Sequence, residues 1–377
     1  MKCVTTARAG LACMVTLSIA VPATAAASAR TGFGPDRMGN VQQALNTLAG
    51  TTGVVGAIGQ VYVDGRRVGQ GSAGTRLLGG RGGSIPADSR YRIGSQTKGM
   101  TATVVLQLVK EGRLGLEDKL SDILPEVANH DLVERAGEIT VRQLIRNTSG
   151  IPNWFTPGLV DIFDTTTYVR PIDLVRISRG QPRTGEPGEK FFYSNTNYTL
   201  LGMIIEKVTG TALAAEFARR LFVPLGMNRT YLPTRPPEGI KGPHGHGYHP
   251  DADGRPRDMH RFNASYGGAA GGVISTAHDI TAFHRAFAQG ELLPPSLQRV
   301  ITDPPEGVPQ PPAGGLCGGA PVLQGSAGGA PGFNAVTFTT ADGRHQLAIS
   351  TTVSLANAGT VSPAVNQAVK AVFCPEK

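Results

Sequence analysis

The sequence is poor in charge, in aromatics and in cysteine. Only 17% of its 377 residues are charged, and the basic ones are scattered, so there is no dense cationic patch with interleaved aromatics and nucleic-acid binding is excluded as a main role. No short period recurs, which excludes a repeat architecture, and the many Gly (50) and Pro (27) therefore read as tight turns and long connections. Long apolar runs are missing too. The run centred on Met14–Ala20 falls well short of the roughly 20 residues a bilayer needs, and no other segment is long and apolar enough to span one. A hydrophobic content of 40% excludes a disordered chain.

What the N-terminus has is an address. Lys2 and Arg8 precede the short apolar run, Pro22 breaks it, and Ala23–Ala29 offers several A-x-A sites, so residues 1–29 read as a secretory signal peptide. The expectation is a soluble, secreted, monomeric protein of residues 30–377. Cys3 and Cys13 leave with the signal, and Cys317 and Cys374 remain as one pair in an oxidising compartment. A disulfide between them contributes about 3–4 kcal/mol by loop closure. Removing Lys2 and Arg8 lowers the net charge of +8 by two, and the remaining basic balance suits loose association with acidic cell-wall polymers.

Periodicity predicts a helix over Asp36–Leu48 and a β-hairpin from Val54–Val63 through the Asp64-Gly65 turn. A short strand at Tyr91–Gly94 runs into a helix over Ser95–Glu111, which Gly112 ends. Further helices are expected at Val141–Arg146, Asn197–Val208, Ala212–Leu221, Ser275–Ala288 and Ser362–Val372. Strands at Asn334–Thr340 and Gln346–Val353 flank Ala341-Asp342-Gly343, a hairpin signal. Strands at both chain ends with helices between them imply an α/β (α+β) fold. Its antiparallel sheet is assembled from both termini and flanked by helices (about 31–120 and 271–377), with a mainly helical subdomain (about 121–270) inserted.

The chemistry begins at Ser95-Gln96-Thr97-Lys98. At i and i+3 the hydroxyl and the amine share one helix face. A serine is a poor nucleophile unless a neighbouring base takes its proton, and a lysine serves if burial lowers its pKa. The helix N-terminus suits a developing oxyanion. Downstream, Tyr193-Ser194-Asn195 offers a phenol to relay protons and an amide to hold both the lysine and a substrate carbonyl. Gly328-Gly329 precede the strand expected near Phe333, where a backbone N–H can complete an oxyanion hole.

The order S-x-x-K, Y-S-N and a small-residue turn resembles the serine penicillin-recognising enzymes, closest to class C β-lactamases and secreted D-alanyl-D-alanine carboxypeptidases. The segments Tyr91–Lys98, Phe192–Tyr198, Ile204–Gly210 and Phe222–Met227 are similar to theirs, and Asn147-Thr148-Ser149-Gly150 looks like the family's turn after the first helices, with Asn147 where His is usual. The likeness covers nearly the whole mature chain. It implies a β-lactamase/transpeptidase-like fold and an acyl-enzyme on Ser95. Lys98 and Tyr193 would move the proton, Asn195 orient the substrate, and the N–H groups of Ser95 and Gly329 hold the oxyanion, with no cofactor or metal. The substrate is a small acyl or peptide compound.

The pattern departs at the third motif. Relatives place Lys or His, then Thr or Ser, then Gly, whereas the matching positions here read Ser326-Ala327-Gly328. The stretch Pro304–Leu316 also lacks the Arg that related carboxypeptidases use for a terminal carboxylate. Both absences favour neutral acyl substrates, such as small esters or thioesters, over D-alanyl-D-alanine carboxypeptidase or β-lactamase activity, which stay as alternatives beside a non-catalytic penicillin-recognising sensor. Tyr266 and Trp154 are expected at the two cleft edges. His244, His246 and His249 with Asp251 and Asp253 suggest a metal set, but their spacing suits a Gly/Pro-rich loop and no metal is expected.

Overall fold

In the computed structural model, residues 38–374 are described apart from 306–307, 309–315 and 318–322; the segment 1–29, expected to be a signal peptide, and most of Pro304–Leu316 lie outside the described residues. The first helix begins where a cap permits it. The Asn40 side chain accepts the Gln43 N–H, and the amphipathic run Val41–Ala49 follows, burying Val41, Ala44, Leu45 and Leu48. The chain then forms the hairpin β1 (Val54–Val63) and β2 (Arg66–Gly74), as the Asp64-Gly65 signal requires. Two short strands, β3 (Tyr91–Arg92) and β6 (Ile274–Ser275), pair with each other, and so do β4 (Tyr248–Pro250) and β5 (Pro256–Asp258). The C-terminal strands are β7 (Leu323–Ala330), β8 (Phe333–Thr340) and β9 (His345–Val353).

The main sheet has the antiparallel order β2-β1-β9-β8-β7, so its centre is where the two ends of the sequence meet. Alternation along each strand decides which face each residue covers. Ala57, Val61, Leu347 and Ile349 point to one side, where the first helix and the last (Ser362–Phe373) pack with Leu45, Leu48, Val369 and Phe373. Ile58, Ala335 and Ala348 point to the other, against the helix Thr97–Lys110 and its neighbours. Helices between β3 and β6, chiefly Val141–Arg146, Pro171–Arg179 and Asn195–Thr209, build the inserted part.

Four strands were not foreseen, the short β4, β5 and β6 and, most consequentially, β7. Gly328 and Gly329 lie inside β7, an edge strand, rather than in a turn before the strand at Phe333. After Leu323 and Gln324 the segment to Ala330 is only Gly, Ala and Ser, with no β-branched side chain, so it carries no strand signal of its own; pairing with β8 makes it a strand. Most helix ends moved by one or two residues, but the first helix starts at Val41, five residues after the expected Asp36, the α-helix expected over Ala212–Leu221 ends at Phe217, and Ser95 sits in a single 3-10 turn (Gly94–Gln96) ahead of the α-helix.

Cys317 and Cys374 are joined, with Cα atoms 5.7 Å apart, tying the end of the last helix to the segment that leads into β7. The bond encloses 57 residues by sequence separation, and loop closure of that length contributes about 4 kcal/mol. Mass spectrometry of non-reduced protein should therefore show both thiols consumed, and Cys374→Ser should lower the denaturation midpoint; two free thiols in protein kept under oxidising conditions would contradict the linkage.

Candidate active site

Three segments distant in sequence meet at Ser95. The first is the turn and helix that carry it. The helix Thr97–Lys110 is buried nearly all round, with Met100, Val104, Val105 and Leu108 in the core, and Lys98 is carried inward with them at 6% exposure. Gln96, between the two reactive residues, turns the opposite way: its Oε1 accepts from Thr337 Oγ1 (2.8 Å) on β8 and lies 3.2 Å from His284 Nε2. That anchor fixes the turn against the sheet. His284 is itself pushed down to about 4 by burial, so it stays neutral.

The second segment is Tyr193-Ser194-Asn195, which opens the helix Asn195–Thr209. It is held by a neighbouring turn. Asn147 caps the helix Val141–Arg146 in the left-handed region, and its Oδ1 accepts from Ser194 N (3.2 Å) and Asn197 Nδ2 (2.9 Å). Asn and Asp adopt this backbone conformation more readily than other non-glycine residues, which accounts for the residue found here. Asn153 Oδ1 accepts both N and Nδ2 of Asn195, leaving the Asn195 Oδ1 turned toward Lys98.

The third segment is the helix Ala264–Gly271. It breaks at Gly268, whose φ of 43° and ψ of −139° are outside helical values. The break frees carbonyls that a continuous helix would use. The Ala269 carbonyl accepts from Thr101 Oγ1 (2.7 Å) and the Ala270 carbonyl from Lys98 Nζ (2.6 Å).

Lys98 Nζ thus has three polar neighbours: Ala270 O at 2.6 Å, Asn195 Oδ1 at 2.7 Å and Ser95 Oγ at 3.4 Å. The first two are acceptors only. A neutral amine has two N–H groups and one lone pair, so satisfying both acceptors leaves the lone pair for the Ser95 hydroxyl. Desolvation pushes Lys98 down to about 7, so the neutral form is available near neutral pH. The rings of Tyr193 and Tyr198 lie 4.8 and 5.4 Å from Nζ and close the site laterally. Tyr193 Oη is 2.7 Å from Ser95 Oγ. Ser95 therefore touches a phenol and an amine at once, an arrangement equipped for nucleophilic attack with proton relay.

The strand β7 forms the facing wall. A Cβ on Gly94 would fall 2.5 Å from Gly329 N, and one on Gly328 would fall 2.0 Å from Ile93 O and 2.5 Å from Ser95 N. The backbones of the serine turn and the strand are in direct contact, and only glycine permits it; Gly94 also needs its φ of +54°. This contact brings Ser95 and Gly329 to the same place.

Ser326 and Ala327 follow on β7, opposite Thr337 and Val336. Trp154 does not line the cleft: it is 1% exposed, and its Nε1 donates to Thr199 Oγ1 at 3.1 Å. Tyr266 is buried as well, packed against Trp154 and Phe262. Both form part of an apolar cluster with Met259 and Phe333 that braces the wall from behind. An aromatic in a loop beside a catalytic motif reads as a cleft edge in sequence, but here burial of its large apolar area prevailed. The His249 ring sits against Phe163 with Nδ1 near its own neighbour's carbonyl, and Asp251 caps its turn, so these do not group with the other histidines. His246 instead meets Asp258 and His260. Sequence reading missed Asn153, the Ala270 carbonyl, Asp258 and His260.

A serine beside a buried lysine and a tyrosine, on a mixed fold with an antiparallel sheet, defines a serine hydrolase. The chain belongs to the Beta-lactamase family, whose description matches residues 41–369. It is 33% identical to a D-stereospecific amidohydrolase from Streptomyces sp., with a TM-score of 0.72 over 89% of this chain and 98% of that one. It is 31% identical to penicillin-binding protein 4 of Amycolatopsis lactamdurans over 67% of this chain and 64% of that protein. Protein flp of Staphylococcus aureus is 37% identical over 38% of this chain, and the chain spans only 28% of its length. The D-amino acid amidase of Ochrobactrum anthropi SV3 shares the fold at 23% identity and a TM-score of 0.72, over 88% of this chain and 97% of that one.

Two outcomes follow from this geometry. Because the competent base is the neutral amine, kcat/KM should rise with pH through an apparent value near 7 and fall below it as Lys98 protonates. Lys98→Ala should remove that limb and cost roughly 10²–10⁴-fold. An unchanged pH profile in that variant would take Lys98 out of the role of base. Secondly, Gly328→Ala should cost about 10²-fold or more in kcat while circular dichroism stays native, because the added methyl parts β7 from the serine turn; a near-normal rate would show the contact to be dispensable.

Proposed function

We propose that this is an exported hydrolase that acts through an acyl-enzyme on Ser95 and prefers substrates whose far end is neutral: esters and amides, including amides of D-amino acids. The observation that carries the reading is the hydrogen-bond set of Lys98, in which two acceptors occupy the N–H groups and Ser95 faces the lone pair. Lys98 takes the Ser95 proton, directly or through Tyr193. Ser95 Oγ attacks the carbonyl, and the N–H groups of Ser95 and Gly329 receive the oxyanion, each such donor contributing about 3–4 kcal/mol. The relayed proton leaves with the alcohol or amine, and water then attacks the ester.

The substrate preference rests on absences in the wall. Ser326-Ala327-Gly328 supplies no cation and no middle hydroxyl, and Pro304–Leu316 contains no Arg. Neither segment offers an entering carboxylate a charged partner in exchange for the water it loses. The L-phenylalanine amide bound to the Ochrobactrum relative carries no carboxylate and needs no such clamp. The likeness to penicillin-binding protein 4 favours a second reading, a D-alanyl-D-alanine carboxypeptidase or β-lactamase acting on cell-wall peptides.

A panel of short esters, D-amino acid amides, chromogenic cephalosporins and D-Ala-D-Ala peptides, with Ser95→Ala as the inactive control, separates them. Esters and amides should lead, and Ser326→His with Ala327→Thr should raise the relative rate on D-Ala-D-Ala peptides by about 10–100-fold, the worth of a charge-assisted hydrogen bond. A wild-type kcat/KM for a D-Ala-D-Ala peptide above that for every neutral substrate would reverse the assignment. Covalent labelling without turnover would identify a sensor.

A further inference from the structure

The β4–β5 hairpin assembles a group of side chains that the hydrolytic site does not use. Tyr248 pairs with Asp258, and Met259 N–H donates to the Gly247 carbonyl at 2.8 Å, extending the pairing toward the hairpin's open end. His246 and His260 are thereby brought opposite each other, and Asp258, two residues before His260, falls on the same face. The pattern in sequence is His244-x-His246 with Asp258-x-His260.

The contacts are close. His246 Nδ1 is 2.6 Å from Asp258 Oδ2, and His260 Nδ1 is 3.0 Å from Asp258 Oδ1. The two imidazole rings lie 4.6 Å apart, centroid to centroid, at 24°. One ligand atom from each of the three residues falls within 4.8 Å of the others. Around zinc, with bonds of about 2.0–2.1 Å, neighbouring ligands sit about 3.3 Å apart, so small side-chain rotations place all three on one ion. The side chains are 17–34% exposed, which leaves a way in and room for water as a further ligand.

A second observation is independent of these distances. His244 stacks on His246 at 5.0 Å, is only 8% exposed, and commits Nδ1 to the Gly242 carbonyl at 2.7 Å. Its buried Nε2 has no hydrogen-bond partner. With Nδ1 donating to a carbonyl, Nε2 of the neutral ring is a lone pair, so a buried acceptor without a donor stands in the imidazole stack beside His246.

We propose that His246, Asp258 and His260 form a binding site for a divalent transition metal of the zinc type. Imidazole with a single carboxylate suits zinc, nickel or copper rather than magnesium or calcium, which take all-oxygen shells. In the metal-free protein both Nδ1 atoms face the carboxylate through hydrogens. The ion takes the place of those hydrogens, and the imidazole protons sit on Nε2. The role is a brace. Gly247 lies directly on Gly332, in the turn between β7 and β8, where an added Cβ would be 2.0 Å from the Gly332 carbonyl. Arg92, three residues before Ser95, donates through Nη2 to the carbonyls of His260 (2.9 Å) and Phe262 (3.3 Å). An ion clamping His246 to His260 therefore stiffens a hairpin that touches both walls of the hydrolytic site without entering it.

The test is calorimetric titration of untagged, chelator-treated protein with zinc. One ion per chain should bind and raise the melting temperature. His246→Ala, Asp258→Ala and His260→Ala should each weaken binding by more than the roughly 10–100-fold that losing an outer-shell partner costs. His249→Ala, on the same hairpin but outside the cluster, should bind as wild type. Absence of zinc binding in the wild type, or affinity unchanged in the cluster variants, overturns the proposal. Should a variant fail to fold, X-ray absorption of the zinc-loaded wild type decides: two or more imidazoles with an oxygen shell support the site, and fewer than two imidazoles overturn it.

Discussion

The burial of Lys98 is the constraint on which the site is organised. An ammonium group removed from water in the middle of an apolar helix face is costly unless a counter-charge accompanies it. Its polar neighbours here are an amide oxygen, a carbonyl oxygen and a hydroxyl, none of them a carboxylate. The environment stabilises an amine and not an ammonium. Much of the surrounding structure serves that choice: the break at Gly268 delivers the carbonyl, Asn153 turns the Asn195 amide, and the faces of Tyr193 and Tyr198 exclude solvent from the flank. A carboxylate in place of any of these would restore the lysine's charge and remove the base.

The facing wall obeys a different rule. The strand β7 meets the serine turn backbone to backbone, and its side chains are small because contact at that distance leaves no room for a Cβ at Gly328. Side-chain identity on β7 can change while the N–H groups stay where they are. That separation lets the residues at 326 and 327 set the charge presented to the cleft without moving the backbone N–H groups.

Much of this was legible in the sequence because it was local or periodic. The S-x-x-K spacing put Ser95 and Lys98 on one face, the alternation of β1, β8 and β9 predicted a sheet from both ends, and Tyr193 and Asn195 stood out as a polar cluster before an apolar helix. What stayed hidden was of two kinds. Backbone groups such as the Ala270 carbonyl have no signature in residue type, and β7 is a strand only because β8 pairs with it. Relations across a hairpin were hidden as well: His246 and His260 are fourteen positions apart, and only the register of β4 with β5 makes them neighbours. Trp154 illustrates the opposite error, since a residue type suited to ligand contact is equally suited to a core, and here it closes one.

The position of β9 has a consequence for how such a chain comes to be active. It lies between β1 and β8, so the strand that faces Ser95 is joined to the N-terminal hairpin only through a segment that ends at Val353. Pairing of Val63 with His345 closes a loop of nearly three hundred residues. Contacts of that span slow folding, because the entropy of closure is lost before the contacts that offset it can form. Until then β1 presents an unpaired edge, and a polypeptide of this topology passes through its most association-prone state late, with its helices already formable and its sheet still open. The contact of the serine turn with β7 spans more than two hundred residues as well, so the site is assembled from the same class of long-range contacts as the sheet.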